Sequence, residues 1–410
     1  MEKQQTAKPV IRFPEFTDHW NNTKLSELLK EAKKRNTDLK YSKDEVLSVS
    51  GEMGIVNQIE HLGRSYAGAS VHNYHVVEVG DIVYTKSPLK ANPYGIIKQN
   101  KKKAGIVSTL YAVYNVKEEN AHGEFIEHYF SLDENTNRYL RPLVKKGAKN
   151  DMKISNAYVL HDKIFVPSVA EQKKITLFLN TLDKKIEQLK QKKKLLEDYK
   201  KGIMQKIFAQ ELRFKDENGN DFPKWERKKL GNLGDCFIGL TYSPNDVVES
   251  QGTLVLRSSN IQNGRLAFED NVFVNTVISE KNYVKENDIL ICARNGSRSL
   301  IGKCALISKE NEGYAFGAFM SIYRSKFNRF IYHLFQTDLF FSQINEHLGA
   351  TINQVTTKSL NSFSFNFPCE IEQEKIATFL STIDDKISRT QAQIENTLEY
   401  KKGLLQKMFV

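Results

Sequence analysis

One segment of this chain occurs twice, 201 residues apart, and that repetition restricts the architecture more than any other feature. The stretch from Pro167 to Phe208 returns without a gap as Pro368 to Phe409, with 18 of 42 positions identical. Composition alone would give roughly 2–3. Pro167 matches Pro368, Glu171-Gln172 matches Glu372-Gln373, and Tyr199-Lys200-Lys201-Gly202 matches Tyr400-Lys401-Lys402-Gly403. The chain is two copies of one structural unit.

Each copy follows a proline and then runs on without another, as a long helix does. In the first, Leu179, Leu182, Ile186, Leu189, Leu196, Ile203 and Ile207 form a 3,4-spaced stripe, with Lys193 and Lys200 in its gaps. In the second, Leu380, Ile383, Ile387, Ile394, Leu404 and Met408 keep that register, interrupted by Thr390, Thr397 and Lys401. This is the heptad pattern of a coiled coil. Roughly 38 residues at about 1.5 Å each make a rod of about 57 Å.

Neither stripe suits self-pairing. Thr390 and Thr397 stand where the first copy has Leu189 and Leu196, and Lys193 stands where the second has Ile394. The helices are therefore expected to pair with each other, antiparallel if a two-fold axis relates the copies. The expected core is Leu179, Leu182, Ile186, Leu196 and Ile203 against Leu380, Ile383, Ile387, Ile394 and Leu404. Lysines 184, 185, 190, 192, 193, 194, 200 and 201 form a basic face. It reads first as a solvated exterior, balanced in part by Asp183, Glu187, Glu197 and Asp198, and only second as a DNA contact.

The repeat extends beyond the helices. The two tryptophans, Trp20 and Trp225, each open a globular segment, and each is preceded by an apolar-Arg-Phe triplet, Ile11-Arg12-Phe13 or Leu212-Arg213-Phe214. The second triplet follows the first helix directly, whereas the first triplet lies near the N-terminus. The order is circular, so the two ends of the chain are expected to lie close together. Between lead-ins and helices, residues 20–165 and 225–367 alternate β-branched and aromatic runs with glycine and asparagine, as α+β segments do. Asp81-Ile82 and Asp288-Ile289 are expected to be equivalent, each starting an apolar strand after a turn. The two segments otherwise share little, as arms that read different things would.

A formal net charge of +11 favours a polyanionic partner. No apolar run approaches the roughly 18–20 residues needed to span a bilayer, and residues 1–5 lack the apolar core of a signal peptide. The four cysteines, Cys236, Cys292, Cys304 and Cys369, have no CxxC spacing, which argues against a zinc site or disulfide framework and for a reducing cytoplasm.

The combination of a Trp-containing lead-in, a variable segment, Pro-x-x-x-Glu-Gln and a long helix carrying Tyr-Lys-Lys-Gly, present twice, resembles the DNA-specificity subunit of type I restriction–modification systems. Leu256 to Leu266, and Asp288-Ile289-Leu290 followed by Asn295-Gly296-Ser297, are similar to elements of that family's target-recognition domains. The resemblance covers essentially the whole chain. It implies an α+β fold of two globular target-recognition domains joined by two long antiparallel coiled-coil helices in a pseudo-two-fold repeat. The boundaries it gives are 1–166 for the first recognition domain with its lead-in, 167–210 for the central helix, 211–367 for the second recognition domain and 368–410 for the C-terminal helix. It further implies double-stranded DNA, two methyltransferase (modification) subunits and restriction/translocase subunits as partners, with no membrane. S-adenosylmethionine, ATP and Mg would be used by those partners, and this chain would bind no cofactor.

Reading bases requires Arg, Lys, Asn, Gln and Ser presented to groove edges. In the second domain the candidates are Arg257, Ser258, Asn260, Arg294, Asn295, Ser297, Arg298, Asn353 and Gln354, in polar or glycine-rich turns. In the first they are Ser50, Lys86, Lys90, Lys145, Lys146, Lys149, Asn150 and Lys153, the last five in a basic loop ahead of the helix. No catalytic residue or metal ligand is expected. Asn92-Pro93-Tyr94 lacks the second proline of a methyltransferase loop, and no Walker-type phosphate loop is present. The alternative is an assembly adaptor that uses the helices without reading sequence.

Overall fold

The computed structural model describes residues 6–68, 70–88, 91–146, 152–348 and 353–410. The chain divides into two compact units, residues 1–190 with 392–410 and residues 191–391. The long helices run Val169–Phe208 and Glu370–Met408, and neither breaks at its internal glycine, Gly202 or Gly403. Among the described residues no helix is long and apolar enough to cross a membrane.

In the first unit, Ile175, Leu179 and Leu182 near the start of the first helix share a core with Leu404, Leu405, Met408 and Phe409 at the end of the second. In the second unit, Met204, Ile207 and Phe208 at the end of the first helix share a core with Ile376, Ala377, Leu380 and Ile383 near the start of the second. Start meets end in both, which is antiparallel pairing. Of the expected core, Leu179, Ile186, Leu380, Ile383, Ile394 and Leu404 are buried. Leu182, Leu196, Ile203 and Ile387 are half-buried. The stripe does not serve only the partner helix, because much of it packs into the globular cores.

The gaps in the stripe have partners. Lys200 is buried and donates to both oxygens of Asp384, at 2.8 Å each, and to Gln336 at 3.0 Å. The equivalent Lys401 donates to Asp183. The remaining lysines of the basic face are exposed, except Lys193, half-buried and 3.6 Å from Glu197. The solvated reading holds for that face, and Lys200 departs from it because a carboxylate compensates its charge.

The repeated landmarks form one clamp in each unit. Arg12 donates through Nε and Nη2 to the two oxygens of Glu171, at 2.7 Å each, and the Trp20 indole N–H reaches Glu171 Oε1 at 3.2 Å. Arg213 makes the same fork to Glu372, at 3.1 and 2.6 Å, and Trp225 donates to Glu372 at 3.1 Å. These hydrogen bonds to Glu171 and Glu372 raise both guanidinium pKa values. Phe13 meets Phe178 edge-on, as Phe214 meets Phe379. Gln172 and Gln373 each donate to the carbonyl of the proline five residues earlier, Pro167 and Pro368.

The circular order has a direct structural counterpart. The amide of Leu212 donates to the carbonyl of Lys206 across the covalent turn. In the other unit the amide of Ile11 donates to Lys407, the matching pair with no covalent link between them.

Each unit also holds a four-stranded antiparallel sheet of the same order. In the first the strands run Leu29–Glu31, Tyr111–Val116, Ile82–Thr85 and Ile96–Gln99. In the second they run Asp235–Ile238, Met320–Arg324, Ile289–Cys292 and Cys304–Leu306. Asp81 and Asp288 precede the third strand and are equivalent: each accepts a backbone N–H three residues back, Glu78 or Lys285, at 2.8 Å. The neighbouring strand adds Asn115 to Asp81 and a two-pronged Arg324 to Asp288. Burial raises the Asp81 pKa against the lowering effect of these hydrogen bonds. The units diverge elsewhere. The first adds the hairpin Leu47–Ser50 with Gly54–Asn57, and the second a mixed sheet in which Thr253–Leu256 pairs in parallel with Ala315–Phe316.

Three buried histidines couple this packing to pH. Burial depresses His75 and His128 to about 4, with the positive charges of Arg35 and Lys401 acting in the same direction. Burial, then Lys200, depresses His333 to about 3. His128 Nε2 meets Asn180 and His333 Nε2 meets Ser381, equivalent positions on the two long helices. An unfolded histidine takes up its proton near 6.5, whereas these stay neutral in the fold until far lower pH. Stability is therefore expected to be complete above pH ~6.5 and to fall as pH drops toward ~4. The loss is on the order of 2 kcal/mol for each fully buried histidine. His333→Asn should flatten the denaturation midpoint against pH, and an unchanged profile would contradict this origin.

Candidate nucleic-acid interface

The second unit brings its candidates together at the end of the strand Ile289–Cys292. Beyond Cys292 the backbone amides of Ala293 and Arg294 both donate to Phe319, at 3.0 and 2.9 Å, and Arg294 forms a β-bridge with Gln354. The Asn295 side chain donates to Ser258 Oγ at 3.1 Å and accepts from the Ser297 amide at 2.9 Å. Asn353 donates from its side chain to Gly296 O at 3.0 Å, and its carbonyl accepts the Asn295 amide. Ser258, Arg294, Asn295, Ser297, Asn353 and Gln354 thus form one polar patch, assembled from three segments tied together by these bonds. Arg298 lies beside it, exposed, in the short turn Arg298–Leu300.

Two expected contacts in this unit have structural roles instead. Asn260 is fully buried. It accepts the Arg257 amide at 2.9 Å and donates to Ala267 O, Asp270 O and Asn271, which fixes the turn and leaves no edge for a base. Arg257 forms an ion pair with Asp270 at 2.9 Å and donates to the same residue's carbonyl, so a carboxylate already occupies its reading edge.

The first unit is less concentrated. Ser50 ends the first strand of the hairpin, and its side chain accepts the Met53 amide from the turn. Lys86 is half-buried and donates to Asn156 Oδ1 at 2.7 Å; burial lowers its pKa, opposed by Glu31. It braces the Asn156 loop and is not offered to a backbone phosphate. Lys145 and Lys153 are exposed and directly opposite each other, because Lys145–Lys146 and Met152–Lys153 pair as short antiparallel strands where a loop was expected. Lys90, Lys149 and Asn150 lie outside the described residues.

The strand register shows which positions correspond. Thr85 faces Tyr111 in the first unit as Cys292 faces Met320 in the second. Two residues beyond Thr85 stands Ser87, and two beyond Cys292 stands Arg294. The residue before Tyr111 is Leu110, and that before Met320 is Phe319; both are exposed, at 67% and 57%. One frame therefore presents Ser and Leu in one unit and Arg and Phe in the other. Sequence reasoning missed Phe319, since an aromatic in Ala318-Phe319-Met320 reads as core. Its signal is the register to Leu110, visible only once strands are paired. Among the described residues no group of three or more His, Cys, Asp or Glu side chains is placed to hold a metal ion.

This shared frame has known relatives. Residues 223–400 match the type I restriction modification DNA specificity domain. Over that segment the chain is similar to the type I restriction–modification specificity family. It is 30% identical over 190 residues to the specificity subunit of the type I restriction enzyme EcoKI from Escherichia coli K12, covering 44% of this chain and 41% of that protein. It is 27% identical over 281 residues to the putative MjaX specificity subunit from Methanocaldococcus jannaschii, covering 64% and 62%. The chain thus spans about two fifths of the length of the EcoKI subunit and under two thirds of MjaX. The fold is similar to the crystal structure of a type I S subunit from M. genitalium, with TM-score 0.58 at 13% identity over 98% of this chain and 99% of that one. It is also similar to a chain from a type I restriction–modification assembly, with TM-score 0.54 at 16% identity over 95% and 97%.

Proposed function

We propose that this chain is the sequence-reading subunit of a type I restriction–modification complex and performs no reaction itself. Each globular domain reads one half of a split DNA target. The paired helices set the unread spacer and dock two methyltransferase subunits, which bring S-adenosylmethionine, while restriction/translocase subunits bring ATP and Mg. The cytoplasm is where such a complex would meet its DNA.

The observation that carries this reading is the combination of like frames with unlike tips: Ser87 and Leu110 against Arg294 and Phe319 at corresponding positions. A pure assembly adaptor has no need for its two copies to differ where strands end in polar turns. The net charge of +11 supports the phosphate contacts that any such reader requires.

The test is binding by the full chain with its modification subunit to duplexes carrying the target. Changing the spacer by one base pair should abolish preferential binding, and affinity should fall steeply between 50 and 200 mM salt, by on the order of 10³-fold if about six or more phosphates are contacted. Equal affinity for every duplex would favour the adaptor.

A further inference from the structure

We propose that Arg294 reads a guanine in the major groove and that Phe319 is the residue that positions it. This rests on the sequence-reading function proposed above and adds the identity of one base and the device that selects it. The Arg294 guanidinium carbon lies 5.0 Å from the centroid of the Phe319 ring. Among the described residues no carboxylate or carbonyl accepts from that guanidinium, in contrast to Arg257 on Asp270 and Arg324 on Asp288. An arginine held over an aromatic face, with no competing acceptor, leaves its planar set of N–H donors available to a ligand. That planar fork matches the O6 and N7 acceptors of guanine, the commonest arginine contact to a base edge.

The backbone fixes where the fork emerges. The Arg294 and Ala293 amides both bond to the Phe319 carbonyl, so arginine and ring hang from one rigid corner of the sheet. Gln354, exposed and bridged to Arg294 through its backbone, flanks it with an amide suited to a neighbouring base edge. An exposed phenylalanine next to an uncompensated guanidinium has no role in the core. As a platform it lowers the entropy lost when the side chain is held for reading. The first unit has Ser87 and Leu110 at these positions and so lacks both fork and platform.

The experiment selects duplexes from a randomised pool with the full chain bound to its modification subunits, followed by sequencing. The wild type should return a bipartite motif with an invariant G in one half. Arg294→Ala should relax that position alone, with discrimination falling about tenfold to hundredfold. Arg294→Lys should fail to restore it, since an ammonium cannot make the two parallel bonds. Phe319→Ala should weaken the same position with Arg294 still present, whereas Phe319→Tyr should keep it. The inference is overturned if the motif of Arg294→Ala is unchanged while overall affinity falls, which marks a phosphate contact, or if lysine keeps the full G preference, which shows that the planar fork is not what reads the base. It is also overturned if Arg294→Ala blurs both halves. A wild type that selects no motif would instead contradict the sequence-reading function itself, so the two failures are distinct.

Discussion

Glu171→Ala is expected to destabilise the first unit by about 3–5 kcal/mol, the cost of stranding a buried charge. Glu171 is 1% exposed and, among the described residues, accepts both prongs of the Arg12 fork and the Trp20 indole N–H. Without it, a guanidinium whose side chain is 7% exposed and a fully buried N–H both lose their partner. Replacing both Arg12 and Glu171 with methionine should cost less than the single change, because no charge is left behind. The check is denaturant unfolding of the full chain followed by tryptophan fluorescence. Since each unit has one tryptophan, a Trp225→Phe background leaves Trp20 as reporter of the altered clamp. A shift of under 1 kcal/mol would show that the clamp is incidental to the fold.

Phe409→Ala should cost about 3–5 kcal/mol, as expected for an aromatic at the centre of a core. Phe409 is 6% exposed and meets Trp20, Phe125 and Tyr129 with ring centroids 6.3, 5.2 and 6.0 Å away. The three rings it meets all come from the first third of the chain. The equivalent Phe208 meets Trp225 and Phe330 at 6.3 and 5.4 Å. Phe208→Ala should therefore produce a loss of similar size in its own unit. A mild effect of Phe409→Ala beside a severe one of Phe208→Ala would show that only the covalently continuous copy needs its aromatic anchor.

The clamp shows how legible the frame was. The sequence displays Arg12, Trp20 and Glu171 as separate landmarks, each with a counterpart. Arg12 and Arg213 both lie 159 residues before their glutamates, and that constant interval was the available sign that the landmarks touch. The helix pairing was legible for the same reason, since complementary gaps in two stripes are a linear pattern. The division of the stripe between partner helix and globular core was not, because a heptad reports burial without saying against what.

The recognition surface was legible only in part. Arg294, Asn295, Asn353 and Gln354 were found because polar residues in glycine-rich turns favour exposure. Asn260 also lies in a polar turn ahead of a glycine, yet that turn closes on it through Ala267, Asp270 and Asn271, and Lys86 is held by Asn156 and Glu31, 70 and 55 residues away. Burial of a polar side chain is a property of the tertiary environment, and no local pattern encodes it.

The account as a whole rests on two like frames carrying unlike readers. Its most direct test is genome-wide mapping of methylated adenines in cells that express this chain with its modification subunit, against cells that lack it. The account predicts one bipartite motif whose two halves differ in sequence and whose spacer is constant. A motif with two identical halves, or methylation independent of this chain, would contradict it.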